Sequence, residues 1–60
     1  MQKPALLIID DDQEFIDDFS LLLGDEFICD SRLSPREGIQ AVTDKDYDLV
    51  LLDLMFPCLL

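Results

Sequence analysis

Two short apolar runs in the sequence are each followed directly by an acidic side chain. The first run, Ala5–Ile9, precedes Asp10, and the second run, Leu49–Leu52, precedes Asp53. A continuous apolar run of this length, ended by polar residues, is typical of a strand buried on both faces of a parallel sheet. The pattern therefore predicts a buried strand over the first run and a further apolar strand over the second, with an acid at the carboxyl end of each.

An amphipathic helix is predicted after the first strand. Apolar residues recur at i, i+1, i+4, i+7 and i+8, the spacing of one face of a helix. They are Phe15, Ile16, Phe19, Leu22 and Leu23. We expect Asp11 to be the N-cap, with Glu14 as its capping-box partner. We expect Gly24 to end the helix in the left-handed conformation.

A second helix start is marked by Ser34, Pro35 and Glu37. Serine suits the N-cap, proline the first helical position, and glutamate the third position. Ile39 and Val42 are expected to form the inner stripe of this helix. The apolar stretch Phe27–Cys29, between the two helices, predicts a further strand.

The elements thus alternate as βαβαβ. Their predicted bounds are strands over residues 5–10, 27–31 and 48–53 and helices over residues 12–23 and 35–44. Such alternation implies a three-layer α/β fold with a parallel sheet and right-handed crossovers. Spacing alone does not fix the strand order, but order 2-1-3 would place the first and third strands side by side. Their carboxyl ends would then form a topological switch point, where ligands bind in such sheets.

Asp10, Asp11 and Asp53 would meet at that switch point. Mg²⁺ prefers oxygen ligands and is commonly held by one or two carboxylates together with a phosphate group. A carboxylate can also act as the nucleophile toward a phosphoryl group. Taken singly, Asp10 and Asp11 also suit a helix start, and Asp53 suits an ordinary strand end.

Composition narrows the classes of function. The 60 residues include fourteen acids and four bases, for a net charge of −10. This charge disfavours binding of nucleic acid or an anionic membrane, and it fits cations and basic protein surfaces. No apolar stretch reaches the length of a secretory core or a membrane span. We therefore expect one small cytoplasmic domain with reduced thiols at Cys29 and Cys58.

Three stretches in combination resemble the receiver domain of two-component response regulators. They are the LLIIDDD strand end, the SPREGIQAV helix and the segment YDLVLLDLMFP, whose aspartate and proline fall at the family's spacing. The resemblance covers residues 1–60. It implies that the chain is the N-terminal half of a flavodoxin-like receiver fold, a truncated receiver domain.

The resemblance also implies roles for particular residues. Asp53 would be the phosphoacceptor, and Mg²⁺ would be held by Asp10, Asp11, Asp53 and the backbone carbonyl of Met55. The phosphoryl donor would be a sensor histidine kinase or a phosphotransfer protein. The domain's chemistry would act on itself, so we do not expect an enzyme.

The family's serine or threonine, phosphate-binding lysine and switching aromatic residue would lie beyond Leu60. Lys3 and Lys45 precede the first and third strands, so we expect them at the opposite end of the sheet from the acids. Arg32 is expected in a solvated loop after the second strand. Two alternatives stay open beside the phosphorelay role. One is an assembly element that forms homo-oligomers through the edge of the third strand, and the other is a remnant without phosphoryl chemistry.

Overall fold

The computed structural model describes residues 2–52 of the chain. Five elements follow one another along these residues: β1 (Ala5–Ile9), α1 (Gln13–Leu23), β2 (Ile28–Arg32), α2 (Pro35–Asp44) and β3 (Leu49–Leu52). The α/β class and the alternating order of strands and helices are confirmed. Phe27 precedes β2, and the strand instead extends to Arg32.

The three strands form a parallel sheet in the order β2-β1-β3. β1 is the central strand and pairs along its length with β2, from Ala5 opposite Ile28 to Ile9 opposite Arg32. On its other side Ile9 pairs with Leu52, the last residue of β3. The predicted order 2-1-3 is therefore confirmed for the strands that the structure describes.

The side chains of β1 divide the core into two clusters, because successive residues of a strand point to opposite faces of the sheet. The buried cluster on one face consists of Leu6, Ile8 and Ile16. The buried cluster on the other face consists of Leu7, Ile9 and Ala41. Since Ile16 belongs to α1 and Ala41 to α2, the two helices cover opposite faces of the sheet.

The buried face of α1 is narrower than the apolar stripe predicted for it. Ile16 is buried, and Phe19 and Leu23 pack against the same cluster. Leu22 is 73% exposed and Phe15 is 38% exposed, so the expectation that both lie in the core is wrong. A helix that packs on a three-stranded sheet meets it along the i, i+3 and i+7 positions, and residues beside that line stay in solvent.

The buried face of α2 is not the predicted one. Ile39 and Val42 are exposed, whereas Gly38 and Ala41 face the sheet. The reason is the close approach of the helix to β1. A Cβ atom built on Gly38 would lie 2.3 Å from Cδ1 of Ile9, so only glycine fits at position 38 without a shift of Ile9.

The N-cap of α1 is Asp12, and the prediction of Asp11 is wrong. The side chain of Asp12 accepts hydrogen bonds from the backbone N–H groups of Glu14 (3.0 Å) and Phe15 (3.4 Å). The Asp12 N–H in turn donates to Oδ1 of Asp10 at 2.9 Å. This turn uses one more residue before the helix begins than the sequence pattern indicated.

Of the two other predicted caps, the one at Ser34 is confirmed and the one at Gly24 is wrong. Ser34 caps α2, with its hydroxyl oxygen accepting the Glu37 N–H at 3.2 Å. Gly24 has φ −62° and ψ −21°, a right-handed conformation, so its predicted left-handed cap is wrong. The chain instead leaves α1 through a tight turn in which Phe27 N–H donates to the Leu23 carbonyl at 2.9 Å. Within residues 2–52, neither helix has the length and apolar character needed to cross a membrane.

We expect Asp12→Ala to lower the free energy of unfolding by about 1 kcal/mol, because it removes the acceptor of two N–H groups at the start of α1. The matched control is Asp11→Ala, which removes the same charge from the neighbouring exposed position. Urea denaturation at neutral pH measures both variants. Equal losses in the two would contradict the assignment of the cap to Asp12.

Candidate functional site

Asp10 and Asp11 lie where β1 ends. Asp10 is 1% exposed, and Asp11 is exposed to solvent. The Asp10 N–H donates to the Arg32 carbonyl at 3.2 Å, which continues the pairing of β1 and β2 by one residue. Its Oδ1 accepts the Asp12 N–H. Asp10 is thus held through both its backbone and its carboxylate.

The register of β1 and β3 brings the carboxyl ends of both strands to the same level. Ile9, the residue before Asp10, pairs directly with Leu52, the residue before Asp53 in the sequence. We call the carboxyl ends of β1 and β3, together with Asp10 and Asp11, the acidic edge. Asp53 and Met55 lie outside the described residues, so their assignment as ligands and phosphoacceptor stays a prediction.

The acidic edge suits Mg²⁺ in the chemistry of its donors. Asp10 and Asp11 supply carboxylate oxygens, one from a buried and one from an exposed position, and Mg²⁺ retains several waters alongside one or two such ligands. Within residues 2–52, no group of three or more His, Cys, Asp and Glu side chains is arranged to hold a metal ion. The predicted set of ligands thus depends on Asp53 and Met55.

An open apolar cavity of about 260 Å³ adjoins Asp10 on the α1 face of the sheet. Its lining consists of Ile8, Ile9, Asp10, Phe15, Phe19, Leu51 and Leu52. The rings of Phe15 and Phe19 stack with their centroids 5.0 Å apart. Apolar walls beside a carboxylate reduce the local dielectric and strengthen its attraction for a cation. The cavity itself suits apolar groups and offers nothing to a phosphate.

Three of the four described basic side chains have partners other than Asp10 and Asp11. Nζ of Lys3 donates to the Gly24 carbonyl at 3.1 Å, and Nζ of Lys45 lies 4.0 Å from Oδ2 of Asp30. Arg32 is the last residue of β2, so the prediction of a loop position is wrong. Its Nη1 pairs with Oδ1 of Asp30 at 2.9 Å, and this ion pair holds the guanidinium beside its own strand.

Sequence reasoning missed a polar cluster centred on Asp30. The Tyr47 hydroxyl donates to Oδ2 of Asp30 at 2.5 Å, and the Ser31 N–H donates to its Oδ1 at 2.8 Å. Tyr47 also packs against the Leu7, Ile9 and Ala41 cluster. The hydrogen bond therefore ties β2 to the segment between α2 and β3. Asp30 and Tyr47 are 17 residues apart with no motif linking them, so no sequence signal could have paired them.

The same contacts change the acidity of all three partners. The hydrogen bond from Tyr47 holds the pKa of Asp30 below its ordinary value, against the opposing effect of partial burial and with help from Ser31 and Arg32. That hydrogen bond raises the pKa of Tyr47, because loss of its proton would place two anions together. The hydrogen bond to Asp30 likewise raises the pKa of Arg32. The cluster is a stabilising network.

In comparisons with known proteins, no protein-family model, no curated protein and no solved structure matches this chain. The fold and the acidic edge therefore define its class in coarse terms. Over residues 2–52 it is a small α/β protein with a three-stranded parallel sheet in the order 2-1-3 and acids at the carboxyl end of the central strand.

We expect Tyr47→Phe to lower the free energy of unfolding by about 1 kcal/mol at neutral pH, through loss of the hydrogen bond to Asp30. The lowered pKa of Asp30 adds stability above its unfolded pKa of about 4, and this stability is lost as the pH falls through the folded value. The variant should therefore lose less stability on acidification than the wild type.

Urea denaturation midpoints between neutral and strongly acidic pH test this dependence. Asp46→Asn, which alters an exposed acid in the same connection, serves as the control and should follow the wild type. A pH profile of Tyr47→Phe that runs parallel to the wild-type profile would show that the hydrogen bond has no such role.

Proposed function

We propose that this chain is a phosphoacceptor receiver module of a two-component phosphorelay. The observation that carries the proposal is the pairing of Ile9 with Leu52, because it sets the carboxyl ends of β1 and β3 side by side at a topological switch point. The resemblance to receiver domains requires this order of strands. In the proposal, the chain forms the N-terminal βαβαβ half of a flavodoxin-like fold.

The three consecutive acids after β1 would then have separate roles. Asp12 uses its side chain to cap α1, which leaves Asp10 and Asp11 as the metal ligands of that turn. Asp10 is buried and fixed by the Asp12 N–H, so its carboxylate is already oriented before any ligand arrives. Such preorganisation favours binding of a metal ion, because the Asp10 side chain loses little conformational entropy when the ion binds.

Asp53 would accept the phosphoryl group. One of its carboxylate oxygens attacks the phosphorus of a phosphohistidine, and the phosphorus–nitrogen bond breaks. The electron pair stays on the imidazole nitrogen, which takes up a proton, and an acyl phosphate forms on Asp53. When bound by Asp10, Asp11, Asp53 and the Met55 carbonyl, Mg²⁺ would neutralise charge on the phosphoryl oxygens.

The charge of the chain fits this role. A net charge of −10 favours a phosphoryl donor, here a sensor histidine kinase or a phosphotransfer protein, whose docking surface is basic. The proposal places this exchange in the cytoplasm.

Incubation of the full chain with acetyl phosphate and Mg²⁺ tests the chemistry. We expect intact mass spectrometry to show the addition of one phosphoryl group, and no addition on Asp53→Asn or when the metal is chelated. Asp10→Asn should slow the addition at least about tenfold through loss of a metal ligand.

The matched control for these variants is Asp46→Asn, which removes an exposed acid before the opposite end of β3. It should accept phosphate at the wild-type rate. The proposal fails if the wild type gains no mass, or if Asp53→Asn gains the same mass as the wild type.

A second candidate function is assembly through β3. Within residues 2–52, β3 pairs with β1 alone, and its side chains are exposed at Leu49 (52%), Val50 (44%) and Leu52 (47%). Unpaired strand edges recruit other strands, and an apolar edge does so most readily. The simplest partner is a second copy of this chain, paired β3 to β3 about a two-fold axis.

We expect the wild-type chain to form a dimer whose population rises with protein concentration in analytical ultracentrifugation. Val50→Lys should remain monomeric, because a charge on the strand edge opposes pairing. The control is Leu21→Lys, which places the same charge on an exposed position of α1 and should still dimerise. A wild-type chain that stays monomeric at every concentration would refute this candidate.

A further inference from the structure

We infer that Gly38 is a positioning residue for the acidic edge, acting through Ile9. Gly38 lies on α2 and touches neither acid, but its lack of a side chain decides where the end of β1 stands. The role of these acids as metal ligands rests on the proposed receiver function. The effect of Gly38 on the position of Ile9 and Asp10 does not.

The contact between Gly38 and Ile9 is unusually close. A Cβ atom on Gly38 would lie 2.3 Å from Cδ1, 2.8 Å from Cγ1 and 3.3 Å from Cγ2 of Ile9, and real Cβ atoms essentially never come within 3.0 Å of a neighbour. The Gly38 N–H donates to the Ser34 carbonyl at 2.9 Å, which anchors this turn of the helix at its cap. Ile9 therefore occupies the space that any side chain at position 38 would need.

Local sequence preference does not account for glycine at this position. Glycine is the poorest helix former apart from proline, so alanine would favour α2 if only the helix mattered. The requirement comes instead from the strand, because interiors are close-packed and the Ile9 side chain is only 6% exposed, which leaves it little room to yield.

Ile9 is the last residue of the central strand that pairs on both sides. It pairs with Arg32 of β2 and Leu52 of β3. Gly38 of α2 lies close against its side chain. The next residue is Asp10, whose carboxylate accepts the Asp12 N–H. A side chain at position 38 would push Ile9 away from the helix. That shift would disturb the turn through Asp10 and the pairing with Leu52 at the same time.

The test is Gly38→Ala in the full chain. We expect its thermal midpoint to fall by about 5 °C although alanine is the better helix former. We also expect the backbone amide signals of Asp10, Asp11 and Asp12 to shift in ¹H–¹⁵N correlation spectra. The control is Ile39→Ala, at the adjacent exposed position of α2, which should leave those three signals in place.

Rescue by Ile9→Val keeps the test decisive even if Gly38→Ala does not fold. Valine lacks the δ carbon, the nearest of the three atoms to position 38. The relief is partial because Cγ1, at 2.8 Å, remains. Gly38→Ala should therefore cost less stability in the Ile9→Val background than in the wild type, and it should shift the Asp10–Asp12 amide signals less there than in the wild type.

Two outcomes would overturn the inference: a folded Gly38→Ala with unchanged Asp10–Asp12 signals, or an equal cost of Gly38→Ala in the wild-type and Ile9→Val backgrounds. Failure of the wild type to accept phosphate is a separate result. It would remove the receiver function, while the amide signals would still decide whether Gly38 positions the acids.

Discussion

The structure depends on the burial of β1 between two strands and two helices. Residues 6–9 are all buried, and they supply the centre of both apolar clusters. Their backbone groups pair with β2 on one side and β3 on the other, so burial leaves the polar backbone satisfied. Within residues 2–52, Ile16 and Ala41 are the other buried apolar side chains, and both pack on β1. The positions of both helices and of the acidic edge follow from this one strand.

The same strand connects the core to the candidate site. Ile9 is the last residue to pair on both sides, and Asp10 follows it into a turn closed by the Asp12 N–H. Three consecutive acids consequently have three different environments: Asp10 is buried, Asp11 is exposed, and Asp12 caps α1. The positions of the acids in this turn are therefore set by the packing of β1, the strand that precedes them.

The order of the elements and the cap at Ser34 were predicted from local signals, whereas both caps of α1 and the packing faces were not. The cap at Ser34 was predictable because serine, proline and glutamate act within one turn of the helix. The buried face of α2 was not, since Ile39 and Val42 have the right spacing but the helix comes too close to Ile9 for either to fit. The apolar pattern predicts that a helix has an inner face. The distance between two elements decides which face that is.

The sequence by itself determined the alternation of strands and helices and the acids after each apolar run, because these depend on neighbouring residues and on hydrophobic period. Tertiary structure alone decided that Ile9 stands opposite Leu52, that Asp12 rather than Asp11 is the cap, and that Asp30 binds Tyr47. Each of these is a contact whose geometry is set by the register of strands or the closeness of packing. Such contacts join residues through space, and no local pattern of side chains encodes them.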